Sequence, residues 1–86
     1  MLNRKSIRTT LIEILEAEVG DNFQDVSDAD GFRDGLGLDS VDVVSVVTEI
    51  ERRFLVCLTQ QELETLGTFG ELIDVLQMKL DRQTLA

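Results

Sequence analysis

Few side chains in this chain of 86 residues can do chemistry. Histidine is absent, which removes Ser–His and Cys–His nucleophile pairs. The single cysteine, Cys57, stands between Val56 and Leu58, a setting that predicts a small buried hydrophobe rather than a reactive thiol. One cysteine and no histidine leave a zinc site without its usual donors. The carboxylates fall at loop and surface positions, where solvation is their expected role, so no catalytic residue is assigned. Gly35 and Gly37 lack the Gly-Lys-Ser/Thr ending of a phosphate-binding P-loop. What remains is Ser40. It follows the Gly-containing stretch Leu36 to Asp39 and opens an amphipathic segment that runs to Phe54. The first N–H groups of a helix are unpaired, and the dipole there favours negative charge. A phosphate ester on Ser40 would therefore sit where a helix accepts phosphate best. Two readings stand on residue types alone. Ser40 is an attachment point for a prosthetic arm, or it is an ordinary helix-start serine.

The elements that would position Ser40 can be read from periodicity. Ile7, Leu11, Ile14 and Leu15 share one face of a helix over residues 4–19, with Gly20 as its stop. From Asp21 to Leu38 the period disappears among aspartates and glycines, a long loop over 20–39. Phe23, Val26, Phe32, Leu36 and Leu38 predict that this loop is pinned to the core. Its Asp28-Ala-Asp30-Gly31 stretch resembles part of an EF-hand. With Gly31 at the required position 6, however, Val26 and Gly37 fall where acids are needed, and no metal site is assigned.

A second helix is expected over 40–54, capped by Asp39, with Asp42 in its first turn. Five valines between 41 and 47 would suit a strand. The spacing of Val43, Val46, Val47, Ile50 and Phe54 decides for helix. Val41, Val44 and Thr48 form a second line, flanked by Asp42, Glu49 and Glu51. It reads as a partner-docking face or as a surface helix with stray valines. Capping boxes at Thr59–Glu62 and Thr68–Glu71 open a short helix over 59–66 and a last helix over 68–80. Arg82 to Ala86 is expected to fray. The sum is an all-α, four-helix bundle with a short third helix, one domain over residues 1–86.

Composition narrows the function classes. The net charge is −9, and twelve of the 17 acidic residues lie between Glu13 and Glu51 with one base, Arg33. Nucleic acid needs a basic face and does not match this charge; basic surfaces on other proteins suit this middle better. No apolar run of 18 residues exists to span a bilayer, and the polar, basic N-terminus lacks a signal-peptide core. A lone cysteine fits a reducing cytoplasm. The length predicts a free-standing monomer whose core yields about 5–10 kcal/mol of net stability.

Leu36-Gly37-Leu38-Asp39-Ser40-Val41-Asp42 closely resembles the Asp-Ser-Leu region of acyl carrier proteins. The resemblance extends to Phe32 four residues before Leu36, to the acidic helix ending at Phe54, and to the helix after Thr68. It implies that Ser40 carries 4′-phosphopantetheine through a phosphodiester. A phosphopantetheinyl transferase would move the arm from coenzyme A, using magnesium. The arm's thiol would hold acyl groups as thioesters for enzymes of fatty-acid, specialised lipid or polyketide synthesis, and the chain itself would not be an enzyme. It further implies that Asp39 flanks the attachment site. Asp42, Glu49 and Glu51 would meet basic patches on partner enzymes, with Val41, Val44 and Thr48 beside them, and the valine-rich helix could line a pocket for the acyl chain. An aminoacyl or peptidyl carrier and an unmodified helical interaction module are the alternatives. Several positions depart from the family's pattern. Val41 replaces the usual Leu or Met, and Ser45 an acid. Arg52 and Arg53 replace an acidic run, and Leu55 to Leu58 lacks the common acid and proline. These departures thin the acidic face and imply a specialised carrier.

Overall fold

A computed structural model describes residues 3–85, and their side chains as far as residue 82. Four helices follow one another: α1 (Arg4–Val19), α2 (Ser40–Phe54), α3 (Gln60–Thr65) and α4 (Phe69–Leu85). Among the described residues there is no strand, only a single antiparallel bridge between Gly31 and Thr68. No described helix is long and apolar enough to cross a membrane.

α1 starts because the Asn3 side chain accepts the Ser6 N–H at 2.9 Å, and it stops at Gly20, whose φ of 88° is left-handed. Its stripe, Ile7, Leu11, Ile14 and Leu15, is fully buried and packs against α2 and α4. On α2, Val43, Val46, Val47, Ile50 and Phe54 all face inward. The valine run is therefore helical, because a helix buries all five on one side, whereas alternation would split them. α4 adds Phe69, Leu72, Ile73 and Leu76, none of which is exposed.

Three expectations need correction. The last helix does not end near Leu80 but continues to Leu85. The apolar face ends near Leu80, yet nothing between Asp81 and Leu85 breaks a helix, so the expected fray does not begin at Arg82; Ala86 lies outside the described residues. The short helix occupies Gln60–Thr65, with Thr59 and Leu66 as its caps rather than its ends. Cys57 is exposed, not buried. Leu55 closes α2 in a left-handed conformation, and the turn it makes sends Leu58 into the core instead.

The loop between α1 and α2 is pinned as its apolar residues predict: Phe23, Val26, Phe32 and Leu38 are buried. It is also tied by backbone to the α3–α4 junction. Phe32 N–H donates to Gly67 O at 3.1 Å, Phe69 N–H to Asp30 O at 2.9 Å and Gly70 N–H to Asp28 O at 3.0 Å. Gly35 crosses Gly31 so closely that a β-carbon there would lie 2.4 Å from the Gly31 nitrogen, so only glycine fits. Two arginines of α1 add a charged fastening that the helical period does not reveal. Arg4 donates to Asp28 at 2.9 Å and pairs with Asp74, while Arg8 pairs with Asp28 and donates to the Val26 carbonyl. The Arg8 guanidinium also lies 5.2 Å from the centre of the Phe69 ring.

The hydrogen bond from Arg4, with Arg8 close by, holds the Asp28 carboxyl below the usual carboxylate range. A depressed carboxylate pKa contributes stability above the unfolded-state value and loses it as pH falls through the folded-state value. Asp28→Asn is therefore expected to lower the unfolding midpoint at neutral pH and to match the parent in acid, at about pH 2. Thermal unfolding of both proteins across that range checks it.

Candidate functional site

Ser40 is the first residue of α2, and the chain around it explains why the helix begins there. Asp39 is extended and accepts the Asp42 N–H at 2.8 Å, while Asp42 accepts the Asp39 N–H in return at 3.5 Å. Asp39 thus does more than flank the serine: it closes a reciprocal capping box around it. The first backbone bond of the helix runs from Val43 N–H to Asp39 O at 3.0 Å. The N–H groups of Ser40 and Val41 lie ahead of that bond, at the positive end of the dipole.

The Ser40 side chain is exposed, and its hydroxyl makes no hydrogen bond to the described protein. It opens onto a cleft of about 490 Å³ between the loop, α2 and α3. Leu38, Val43, Val44 and Leu63 supply apolar wall, and Arg33 is the one base among the lining residues. A free hydroxyl at a helix N-terminus beside a partly apolar cleft fits the ester linkage of a phosphate-bearing arm. The capping acids occupy the same dipole, so the surroundings that a phosphate on this hydroxyl would meet are not uniformly positive.

The other site residues expected from sequence divide in two. Val41 and Val44 stand outward, 72% and 65% exposed, with Thr48 exposed on the same side. The Thr48 hydroxyl is turned back to donate to the Val44 carbonyl at 2.8 Å. The acids are employed within the chain. Asp42 serves the capping box. Glu49 pairs with Arg53 at 3.0 Å and with Arg52 at 3.4 Å, which leaves its side chain 20% exposed. Glu51 accepts the Leu58 N–H at 2.8 Å and so holds the link into α3. Sequence spacing placed these acids beside the valines but gave no sign of their internal bonds. It also missed Arg33 and Leu63 as cleft residues. The isolation of Arg33 in an acidic stretch was the one visible signal.

Comparison with known proteins bears on the same serine-bearing fold. The family model for the phosphopantetheine attachment site matches residues 5–76. An acyl carrier protein of Chlorobium luteolum is 30% identical over 78 residues, covering 91% of this chain and all of that one. The chain belongs to the acyl carrier protein family. Another acyl carrier protein, from Acidothermus cellulolyticus, is 34% identical over 73 residues, covering 85% of this chain and 87% of the relative. The crystal structure of an acyl carrier protein from Thermotoga maritima superposes with a TM-score of 0.81 at 28% identity, over 92% of each chain. Acyl carrier proteins hold covalent 4′-phosphopantetheine and carry rather than catalyse, and membership sets aside the unmodified interaction module. It also favours acyl over aminoacyl cargo.

The cap that frames Ser40 can be tested on its own. Asp39→Ala is expected to cost about 1 kcal/mol in urea unfolding. Asp42→Ala is expected to cost less, because the bond its side chain accepts is the longer one and its own N–H keeps Asp39.

Proposed function

We propose that Ser40 is the residue to which the 4′-phosphopantetheine arm is attached, and that residues 1–86 form one carrier domain. The observation that carries this reading is the Ser40 hydroxyl itself, exposed at the start of α2 and without a hydrogen bond to the described residues. The arm supplies the thiol on which acyl groups are held as thioesters. The chain's own residues have other work. Asp39 and Asp42 fix the first turn and so the direction of the serine. Leu38, Val43, Val44 and Leu63 offer the arm or its cargo an apolar surface. The outward valines of α2 meet partner enzymes, a phosphopantetheinyl transferase using magnesium among them.

Among possible pathways, departures in the chain support a dedicated lipid or polyketide route over housekeeping fatty-acid synthesis. Val41 is a smaller knob than Leu or Met, and Arg52 and Arg53 engage Glu49 rather than leaving it outward. A cytoplasmic monomer is the setting that agrees with one cysteine and a net charge of −9.

The deciding experiment is intact-mass measurement after incubation with coenzyme A, magnesium and a broad-specificity phosphopantetheinyl transferase. The parent is expected to gain one phosphopantetheine and Ser40→Ala none. Equal gain in a folded Ser40→Ala protein would move the attachment elsewhere. No gain in either would remove the reading.

A further inference from the structure

The Ser40 cleft holds a cation that nothing else in the described chain uses. Arg33 is the one base among the lining residues. Arg4, Arg8, Arg52, Arg53 and Lys79 each meet a carboxylate. The Arg33 side chain is exposed and has no ion pair or hydrogen bond with a described residue. Acids are not lacking, since twelve of the 17 lie in the same stretch from Glu13 to Glu51. Asp34, Asp39 and Glu64 even line the same cleft. Two of these are engaged elsewhere, Asp39 by the Asp42 N–H at 2.8 Å and Glu64 by the Gln60 amide at 3.3 Å.

The backbone holds Arg33 beside the approach to the serine. Residues 33–38 close as a helix end does: Leu38 N–H donates to Arg33 O at 2.9 Å, and Gly37 N–H to Asp34 O at 3.3 Å. Gly37 between them is left-handed at φ 70°, as this Schellman arrangement requires. The arginine's own carbonyl is thereby tied to the residue two before Ser40. Leu38 is buried, which anchors the turn in the core. The backbone of Arg33 is thus set in place, while its side chain stays available.

A loaded arm brings a new charge to this point. A phosphodiester on Ser40 is negative at neutral pH. Asp39 and Asp42 already occupy the start of α2, so the helix dipole does not balance that charge alone. A guanidinium does, and its planar fork can donate two N–H groups to two phosphate oxygens. We propose that Arg33 is a positioning residue for the prosthetic arm: it pairs with the phosphodiester on Ser40 and turns the first atoms of the arm into the cleft. The inference rests on the Ser40 reading and adds the residue that neutralises the linkage. Leu38, Val43 and Leu63 then meet the arm beyond the phosphate. A carboxylate on the cargo is another anion that suits a guanidinium, but the phosphate is tethered at the cleft in every loaded molecule, which raises its effective concentration there.

The test compares apo and holo protein for the parent, Arg33→Gln and Arg33→Lys, with loading run to completion and verified by intact mass. The holo thiol is left free, so no cargo carboxylate is present. At low salt, the change in unfolding midpoint on loading is expected to be less favourable in Arg33→Gln than in the parent by about 1–5 °C, a gap that closes at high salt. A purely structural arginine would shift apo and holo midpoints alike. The phosphorus-31 resonance of the holo protein is expected to move in Arg33→Gln and to lie between the two in Arg33→Lys, which keeps the charge without the fork. Equal midpoint changes on loading in parent and Arg33→Gln, or an unmoved phosphorus resonance, overturn the role of Arg33 and leave attachment at Ser40 intact. No mass gain in the parent overturns the attachment reading itself.

Discussion

The short backbone pairing of Gly31 with Thr68 is the constraint on which the arrangement of this protein depends. A loop rich in aspartate and glycine has little reason to hold one path, and a hydroxyl at its end would be placed no better than the loop. Here the path is fixed from both sides. Phe32 and Phe69, the residues next to the pairing, are buried, and their N–H groups reach across to Gly67 and Asp30. The serine at the start of α2 inherits that rigidity through Leu38, which is buried two residues before it. A polar loop has thus been made part of the core at four apolar points, while Asp28 meets arginines of α1 and Asp30 accepts the Ser27 N–H.

Charge in this molecule acts mainly inward. The net charge of −9 invites a picture of a bare acidic surface. Individual acids are nevertheless committed: Asp28 to Arg4 and Arg8, Glu49 to Arg53 and Arg52, Glu51 to a backbone N–H, and Glu62 to Lys79 at 3.0 Å. Glu62 is held below the usual carboxylate range first by the Thr59 N–H it accepts and then by Lys79. Ion pairs at the surface contribute little each, but these contacts decide which side chains are left to meet another protein. On α2 those are chiefly valines, a threonine, an arginine and a leucine.

Much of the fold was legible in the sequence because it rests on short-range rules. The stripes of α1 and α2 were visible as spacing, and the boundaries Arg4–Val19 and Ser40–Phe54 followed from Gly20, Asp39 and Phe54. The capping box at Thr59 was legible for the same reason, since its four residues form a local pattern. What spacing could not show was contact between segments distant in the chain. The pairs of Arg4 with Asp74 and of Glu62 with Lys79, and the approach of Leu63 to the Ser40 cleft, depend on tertiary placement. Cys57 was misread because its apolar neighbours suggested burial, whereas the left-handed turn at Leu55 fixed which of them faces inward. The end of α4 was misread because amphipathicity stops before helicity does.

The crossing of Gly35 over Gly31 leaves no volume for a side chain. For lineages descending from this sequence, that makes the serine cleft and the loop that leads to it unequal in evolutionary freedom. The walls formed by Leu38, Val43, Val44 and Leu63 can exchange one aliphatic group for another and retune what the cleft accommodates. The loop crossing has no such neighbouring solutions, since even a methyl group must displace the backbone. Diversification of the cleft is therefore open to this scaffold by small steps, while the geometry that presents the serine is held nearly invariant.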